Sequence, residues 1–333
     1  PAGPVMSREW RAALIRDCVA CNTCWHMITT GRGLMCDNNP RVGAPDEADW
    51  TPPPAAQRRR VVVVGAGIAG MEAAWVAAAR GHEVTVFGLS DETGGKTRWH
   101  ALLPGGEGLS SIYDYQRLAA DRHGVSLRLG ERASAEAVLA LRPDVVVLAT
   151  GSVPSVPDWV PAGWHEEGLV PDLREAVRVF AVHRGRTAGT AVIYDEDQGA
   201  FTYDAAELLL ERFERVAILT PRERLASEEA LVVRQGVYQR LYAKRAVILT
   251  SVRPLASSQL EEGRLTYANI YSGEEASIED VAFVTYATPR LPDTELLAPL
   301  RAAGVDVRLV GDCKAPRIPL SATSEGYRVA MDI

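Results

Sequence analysis

"VVVVGAGIAGMEAAWVAAARGHEVTVF", residues 61–87, is the stretch whose reading decides the fold. A run of valines ends in glycine, an alanine-rich stretch of helical length follows, and a second β-branched run closes the segment. Strand, helix and strand in that order make a β-α-β unit, with Gly65, Gly67 and Gly70 in GxGxxG spacing at the turn. Gly65 allows the tight turn, Gly67 lets a pyrophosphate approach the backbone, and Gly70 lets the helix pack closely on the strand. The helix N-terminus then offers phosphates unpaired N–H groups and a partial positive charge. One usual element is missing. A carboxylate normally ends the second strand and holds the adenosine ribose, yet Gly88 follows Phe87 here. Asp91 and Glu92 read as ordinary loop charge, so we expect an ADP-containing ligand with a weakened or rerouted ribose contact.

Outward from this unit, "DVVVLATG" (144–151) is a further buried strand. "TAVIYDED", "RVAILT" and "RAVILT" follow between 190 and 250, with a helical stretch near 204–213, and suggest a second α/β unit. If that unit held a nicotinamide nucleotide, a GxGxxG turn would be expected in 190–209. Only Gly199 stands there, and Asp195, Glu196 and Asp197 at the strand end would repel a pyrophosphate. "VAFVTYA" (281–287) and "DVRLVGD" (306–312) return to the buried-strand pattern, and residues 321–333 close the chain as an amphipathic helix.

Upstream, "RDCVACNTCWHMITTGRGLMCDNNP" (16–40) holds Cys18, Cys21, Cys24 and Cys36. Steps of three let three thiolates converge from one loop, and a remote fourth closes the shell. Softness alone admits an iron-sulfur cluster or a structural zinc, and CxxCxxC with a distant cysteine resembles cluster loops more than paired zinc knuckles. His26 reads as a bystander, and Cys313 as a small core residue. Residues 7–16 read as a short helix with Ser7 as N-cap, and the proline-rich, acidic stretch 44–57 as a linker.

With 333 residues the chain has length for two compact domains, and a formal charge of −7 argues against nucleic-acid or anionic-membrane partners. No apolar run reaches membrane-spanning length and no secretory signal opens the chain, so a cytoplasmic location is expected. No nucleophile-base pair or poised carboxylate pair is recognisable, and no catalytic residue is named.

Taken together, these residues resemble the trimethylamine dehydrogenase and 2,4-dienoyl-CoA reductase family of iron-sulfur flavoproteins. "CVACNTCW" (18–25) is similar to its CxGCNxC cluster signature, with Ala20 in place of the usual glycine. Cys36 with "NNP" (38–40), "GG" (94–95), "VVVLATGSVP" (145–154) and "LVGDCKAPR" (309–317) follow in the family's order. Members usually begin with an FMN-bearing TIM barrel that does the substrate chemistry, and the resemblance here covers only the electron-transfer half.

The resemblance implies an α/β fold: an FAD/NAD(P)-binding Rossmann-like domain (58–155 and 281–333), a second inserted α/β unit (186–275) lacking a nicotinamide motif, and a preceding cysteine-rich cluster loop and linker (1–57). It implies a 4Fe-4S cluster on Cys18, Cys21, Cys24 and Cys36. It also implies FAD, or ADP as the alternative, on Gly65, Gly67, Gly70, Gly94, Gly95, Thr150, Gly151, Gly311 and Asp312. The function expected is an electron-transfer subunit, passing electrons from FMN on a partner barrel chain to FAD or to an outside acceptor such as an electron-transfer flavoprotein. The partner interface is expected near Trp10, Leu14, Trp25 and Met27. Two other readings are a self-contained NAD(P)H-dependent iron-sulfur flavin oxidoreductase, and a non-redox scaffold holding structural zinc.

Overall fold

The computed structural model describes residues 15–47 and 50–333. The chain divides into two compact units. The first takes in the described residues up to Arg98, then Gly108–Val153 and Leu291–Ile333, and the second takes in Trp99–Glu107 and Pro154–Arg290.

The first unit is built on a five-stranded parallel sheet in the order Asp306–Leu309, Val145–Leu148, Arg60–Val64, Glu83–Gly88, Ser126–Leu129. From the Arg60–Val64 strand the chain first winds outward one way, to Glu83–Gly88 and Ser126–Leu129. It then resumes on the other side at Val145–Leu148, so strand order reverses beside the glycine turn, and a crevice opens there at the carboxyl ends of the strands. Val61 to Val64 are buried on both faces, which is why this strand reads as an unbroken apolar run rather than an alternating one. The helix Ile68–Ala79 is buried over nearly its whole length, from Ile68 to Ala77. Its alanines admit close neighbours, and the C-terminal helix Pro319–Asp332 comes so near that a Cβ on Gly326 would stand 2.3 Å from the Ala69 carbonyl oxygen.

That burial encloses a charge. Glu72, on the same helix, is fully buried, and its carboxylate accepts from Arg16 at 2.7 Å and from Gln116 at 2.9 Å. The Arg16 guanidinium also lies 4.3 Å from the centroid of the Tyr115 ring. The cysteine-bearing segment is therefore fastened to the α/β body instead of standing apart from it. Asn38 donates to the Asp17 carbonyl at 2.9 Å and to Ser111 at 3.1 Å, and Thr323 donates to the Asp37 carbonyl at 3.0 Å. Val19 and Met27 are buried, Met27 on a short helix, Thr23–Thr29. This corrects the expectation that Met27 faces a partner: it belongs to local core. Ser7, Trp10 and Leu14 lie outside the described residues.

The second unit has a four-stranded parallel sheet, ordered Val281–Ala287, Thr187–Asp195, Phe213–Leu219, Val247–Leu249. Alternation along the Thr187–Asp195 strand sorts its two faces. Ala191 and Ile193 pack with the helices Leu173–Phe180, Ala200–Arg212 and Leu231–Ala243, while Val192 and Tyr194 pack with Val252 and Leu265 of a three-stranded antiparallel sheet. The Val281–Ala287 strand belongs here and not to the first unit, as the sequence suggested, because it pairs in parallel with Thr187–Asp195, Val284 opposite Val192. The return to the first unit comes at Leu291. No helix among the described residues is long and apolar enough to cross a membrane.

The Arg16–Glu72 pair yields the first prediction. Replacing Arg16 by Met strands a buried carboxylate and should cost about 3–5 kcal/mol of stability in urea unfolding, whereas Met at both positions should cost much less. Equal losses in the two variants would show that the pair is not what holds the segment.

Candidate functional site

The three glycines of the turn are not equivalent. A Cβ on Gly65 would stand 2.1 Å from the Ala149 carbonyl oxygen, and one on Gly70 would stand 2.0 Å from that of Gly65. Gly65 also has φ 115°, a conformation closed to other residues. Both positions are thus required by the protein's own packing. A Cβ on Gly67 meets nothing within 4 Å, so its bareness serves space outside the fold. No side chain caps the helix that begins after Gly67. Gly94 pairs with Gly67 in a β-bridge and donates to the Ala66 carbonyl at 2.8 Å, which brings the 94–95 loop over the turn. This open, uncapped cradle at the strand ends fits a pyrophosphate.

Across the crevice, Thr150 donates to the Asp293 carbonyl at 2.6 Å, and Gly151 has open space where a Cβ would stand. Gly311 donates to Glu325 at 2.9 Å, and Lys314 and Arg317 also bond that buried carboxylate. Burial pushes the Glu325 carboxyl up, but the Arg317 and Gly311 hydrogen bonds outweigh it and hold it below the ordinary range. Asp312 is buried too; burial raises it, while the Lys96 ammonium and the Ser152 hydroxyl, 3.0 Å away, bring it below its usual value. Lys96 and Glu325 were not recognised in the sequence. Lys96 adjoins the Gly94–Gly95 pair and had a signal, whereas Glu325 is one acid in a helix and had none.

The corresponding turn of the second unit is built shut. The Glu196 and Asp197 N–H groups both donate to the Ala287 carbonyl, at 2.8 and 3.0 Å. The Gln198 N–H donates to Asp195 at 2.9 Å, and the Ala200 N–H, at the start of the helix, donates to Glu229 at 2.7 Å. The donors that would cradle a phosphate are consumed by the chain itself. Asp195 does not face a ligand as a repelling charge, contrary to the sequence reading. It is fully buried and accepts from Gln198 Nε2 and the Tyr203 hydroxyl, each at 2.7 Å. Burial pushes its carboxyl up to about 7, against the pull of these hydrogen bonds.

Cys18 is exposed, and Cys21, Cys24 and Cys36 are partly buried; all four are free thiols on one segment. The Ala20 N–H donates to Cys18 Sγ at 3.4 Å. Ala20 has φ 55° and Asn22 φ 60°, so the loop turns twice through the left-handed region. The conformation that glycine adopts freely is here imposed on alanine. Burial and the nearby Asp37 carboxylate push the Cys21 thiol up to about 11. Among the described residues, no three His, Cys, Asp or Glu side chains stand close enough to hold a single metal ion. Four unpaired thiols on a loop with an N–H aimed at sulfur are the donor chemistry an iron-sulfur cluster takes.

Residues 63–129 match the NAD(P)-binding Rossmann-like domain family. The chain is 31% identical to the N,N-dimethylglycine/sarcosine dehydrogenase of Chromohalobacter salexigens, covering 96% of this chain and 50% of that protein. It is 28% identical to the NADH oxidase of Thermoanaerobacter brockii, covering 100% of this chain and 50% of that protein. In fold it is similar to the histamine dehydrogenase from Rhizobium sp. 4-9, with a TM-score of 0.82 at 23% identity over 98% of this chain and 49% of that one. The chain spans about half the length of these relatives, and its relatives are oxidoreductases.

Two predictions follow from the two turns. Gly67→Val should fold normally, because a Cβ there meets nothing within 4 Å, and should purify without nucleotide; unchanged nucleotide content after denaturation and chromatography would refute the assignment. For Asp195, the native state keeps a proton up to about pH 7 that the unfolded chain releases near an ordinary carboxylate pKa. Stability should therefore fall as pH rises between about 4 and 7, and Asp195→Asn should flatten that slope of melting temperature against pH.

Proposed function

We propose that this chain is the electron-transfer half of a flavoenzyme related to amine dehydrogenases and demethylases. It would hold a 4Fe-4S cluster on Cys18, Cys21, Cys24 and Cys36, and FAD, or bare ADP, on the Gly65–Gly70 turn with Gly94, Gly95, Thr150, Gly151, Gly311 and Asp312. The observation that carries this reading is coverage: nearly all of the chain aligns with half of a dehydrogenase about twice its length. Substrate chemistry would reside on an FMN-bearing barrel in a partner chain, with electrons leaving to an outside acceptor such as an electron-transfer flavoprotein.

The cofactors supply the one- and two-electron chemistry, and the chain's residues supply position and field. The Ala20 N–H aimed at Cys18 Sγ is the kind of contact that stabilises a thiolate ligand and tunes a cluster's potential. The open cradle at Gly67 admits phosphates, while the closed turn at Glu196–Ala200 favours electron delivery without a nicotinamide nucleotide in the second unit. Ile15, Trp25, Ile28, Leu34 and Met35 are exposed on the cysteine segment, an apolar surface suited to a barrel docking beside the cluster.

Similarity to an NADH oxidase favours a second reading, the self-contained NAD(P)H-dependent oxidoreductase. Bleaching of the visible spectrum by NADH in the isolated chain would put that reading ahead.

Metal analysis of the wild type and of Cys21→Ser tests the cluster. The wild type should contain iron and acid-labile sulfide, and the variant should lose both while its circular dichroism stays that of a folded α/β protein. Full iron in the variant would show the ligand assignment to be wrong, and a colourless wild type containing zinc would support the scaffold.

A further inference from the structure

The second strand of a dinucleotide-binding unit normally ends in a carboxylate that bonds the adenosine ribose, and here it ends in Gly88. The structure shows why an acid cannot stand there. A Cβ on Gly88 would lie 2.9 Å from the Ala66 Cβ and 2.8 Å from Leu129 Cδ2, so the position is filled by its neighbours. The loop acids that follow are engaged elsewhere: Asp91 accepts from Ser90, and Glu92 pairs with Arg98.

The adjacent strand brings another acid to the same place. Gly88 is the last residue of its strand, opposite Leu129 at the end of the Ser126–Leu129 strand. The chain then turns at Gly130, and the Glu131 N–H donates to the Gly88 carbonyl at 3.0 Å. That bond sets Glu131 directly beside the strand end. Glu131 lines a cleft at the carboxyl ends of the central strands, together with Gly65, Phe87, Leu89 and Thr150. Its carboxylate has no hydrogen-bond or ion-pair partner among the described residues, whereas Glu295, also in the cleft, faces the Arg132 guanidinium at 3.9 Å.

The geometry points to Glu131 as the residue that binds the ribose hydroxyls of an adenosine diphosphate moiety, delivered from the neighbouring strand because Gly88 has no room for the usual acid. This rests on the reading of the glycine turn as a nucleotide site. Because Glu131 is exposed, its replacement leaves the core intact.

The test titrates the full chain, stripped of bound nucleotide, with ADP and with 2′-deoxy-ADP by calorimetry, in the wild type, Glu131→Ala and Gly67→Val. The wild type should prefer ADP by about tenfold or more, as expected for a hydrogen bond to a charged group. Glu131→Ala should lose about that factor for ADP and bind the two nucleotides equally, and Gly67→Val should bind neither. If Glu131→Ala keeps the wild-type preference while Gly67→Val loses both ligands, the ribose assignment fails and the nucleotide site stands. If the wild type binds neither nucleotide, or Gly67→Val binds as the wild type does, the site reading fails and the ribose assignment with it.

Discussion

The first unit depends on backbone approaching backbone with no side chain between. Gly70 presses the helix onto the Gly65 carbonyl, Gly65 presses the turn onto the Ala149 carbonyl, and Gly326 lets the C-terminal helix close on Ala69 from the other side. These contacts hold the helix start at the strand ends, where its uncapped N–H groups face the crevice. Any methyl at these points would push the helix away and spoil the cradle. At Gly67 a Cβ would meet nothing, so no packing of the fold accounts for its bareness.

The same β-α-β plan occurs in the second unit with opposite chemistry. Asp195, Gln198, Tyr203 and Thr220 fill the interior of its turn with hydrogen bonds, and Ala287 and Glu229 take up the outward N–H groups. A phosphate entering there would have to displace a carbonyl and a carboxylate already in place. Topology alone therefore does not make a nucleotide site; the fate of a few N–H groups at one helix start does.

Much of this was legible in the sequence, and the rest was hidden for identifiable reasons. The glycine spacing between two β-branched runs disclosed the first unit, because each glycine answers a local backbone demand. "VAFVTYA" is a strand, buried only over Val284–Ala287, and it pairs with Thr187–Asp195 instead of the first unit's sheet, because an apolar run does not name its partner strand. Glu72, inside an alanine-rich helix, gave no hint of Arg16, which is distant in sequence and meets it only in the fold. Glu131 is not legible as a neighbour of Gly88, because 43 positions separate them in sequence and only strand register brings them together. Ala20 stands where the resembled signature has glycine, and its left-handed backbone is a conformation that glycine adopts freely, which residue type alone does not disclose.

The buried Glu72 also determines how the chain opens. Gln116 donates both to Glu72 and to the carbonyl of Ile68, in the first turn of the helix that follows the glycine turn, at 2.9 Å each. Arg16, two residues before Cys18, grips the same carboxylate. The cysteine segment and the glycine-turn helix are thus closed by one shared set of bonds across a proline-rich stretch that by itself transmits nothing. In terms of native-state exchange they form one cooperative opening unit: the amides of the two elements should acquire and lose protection together, as neighbours in free energy though not in sequence.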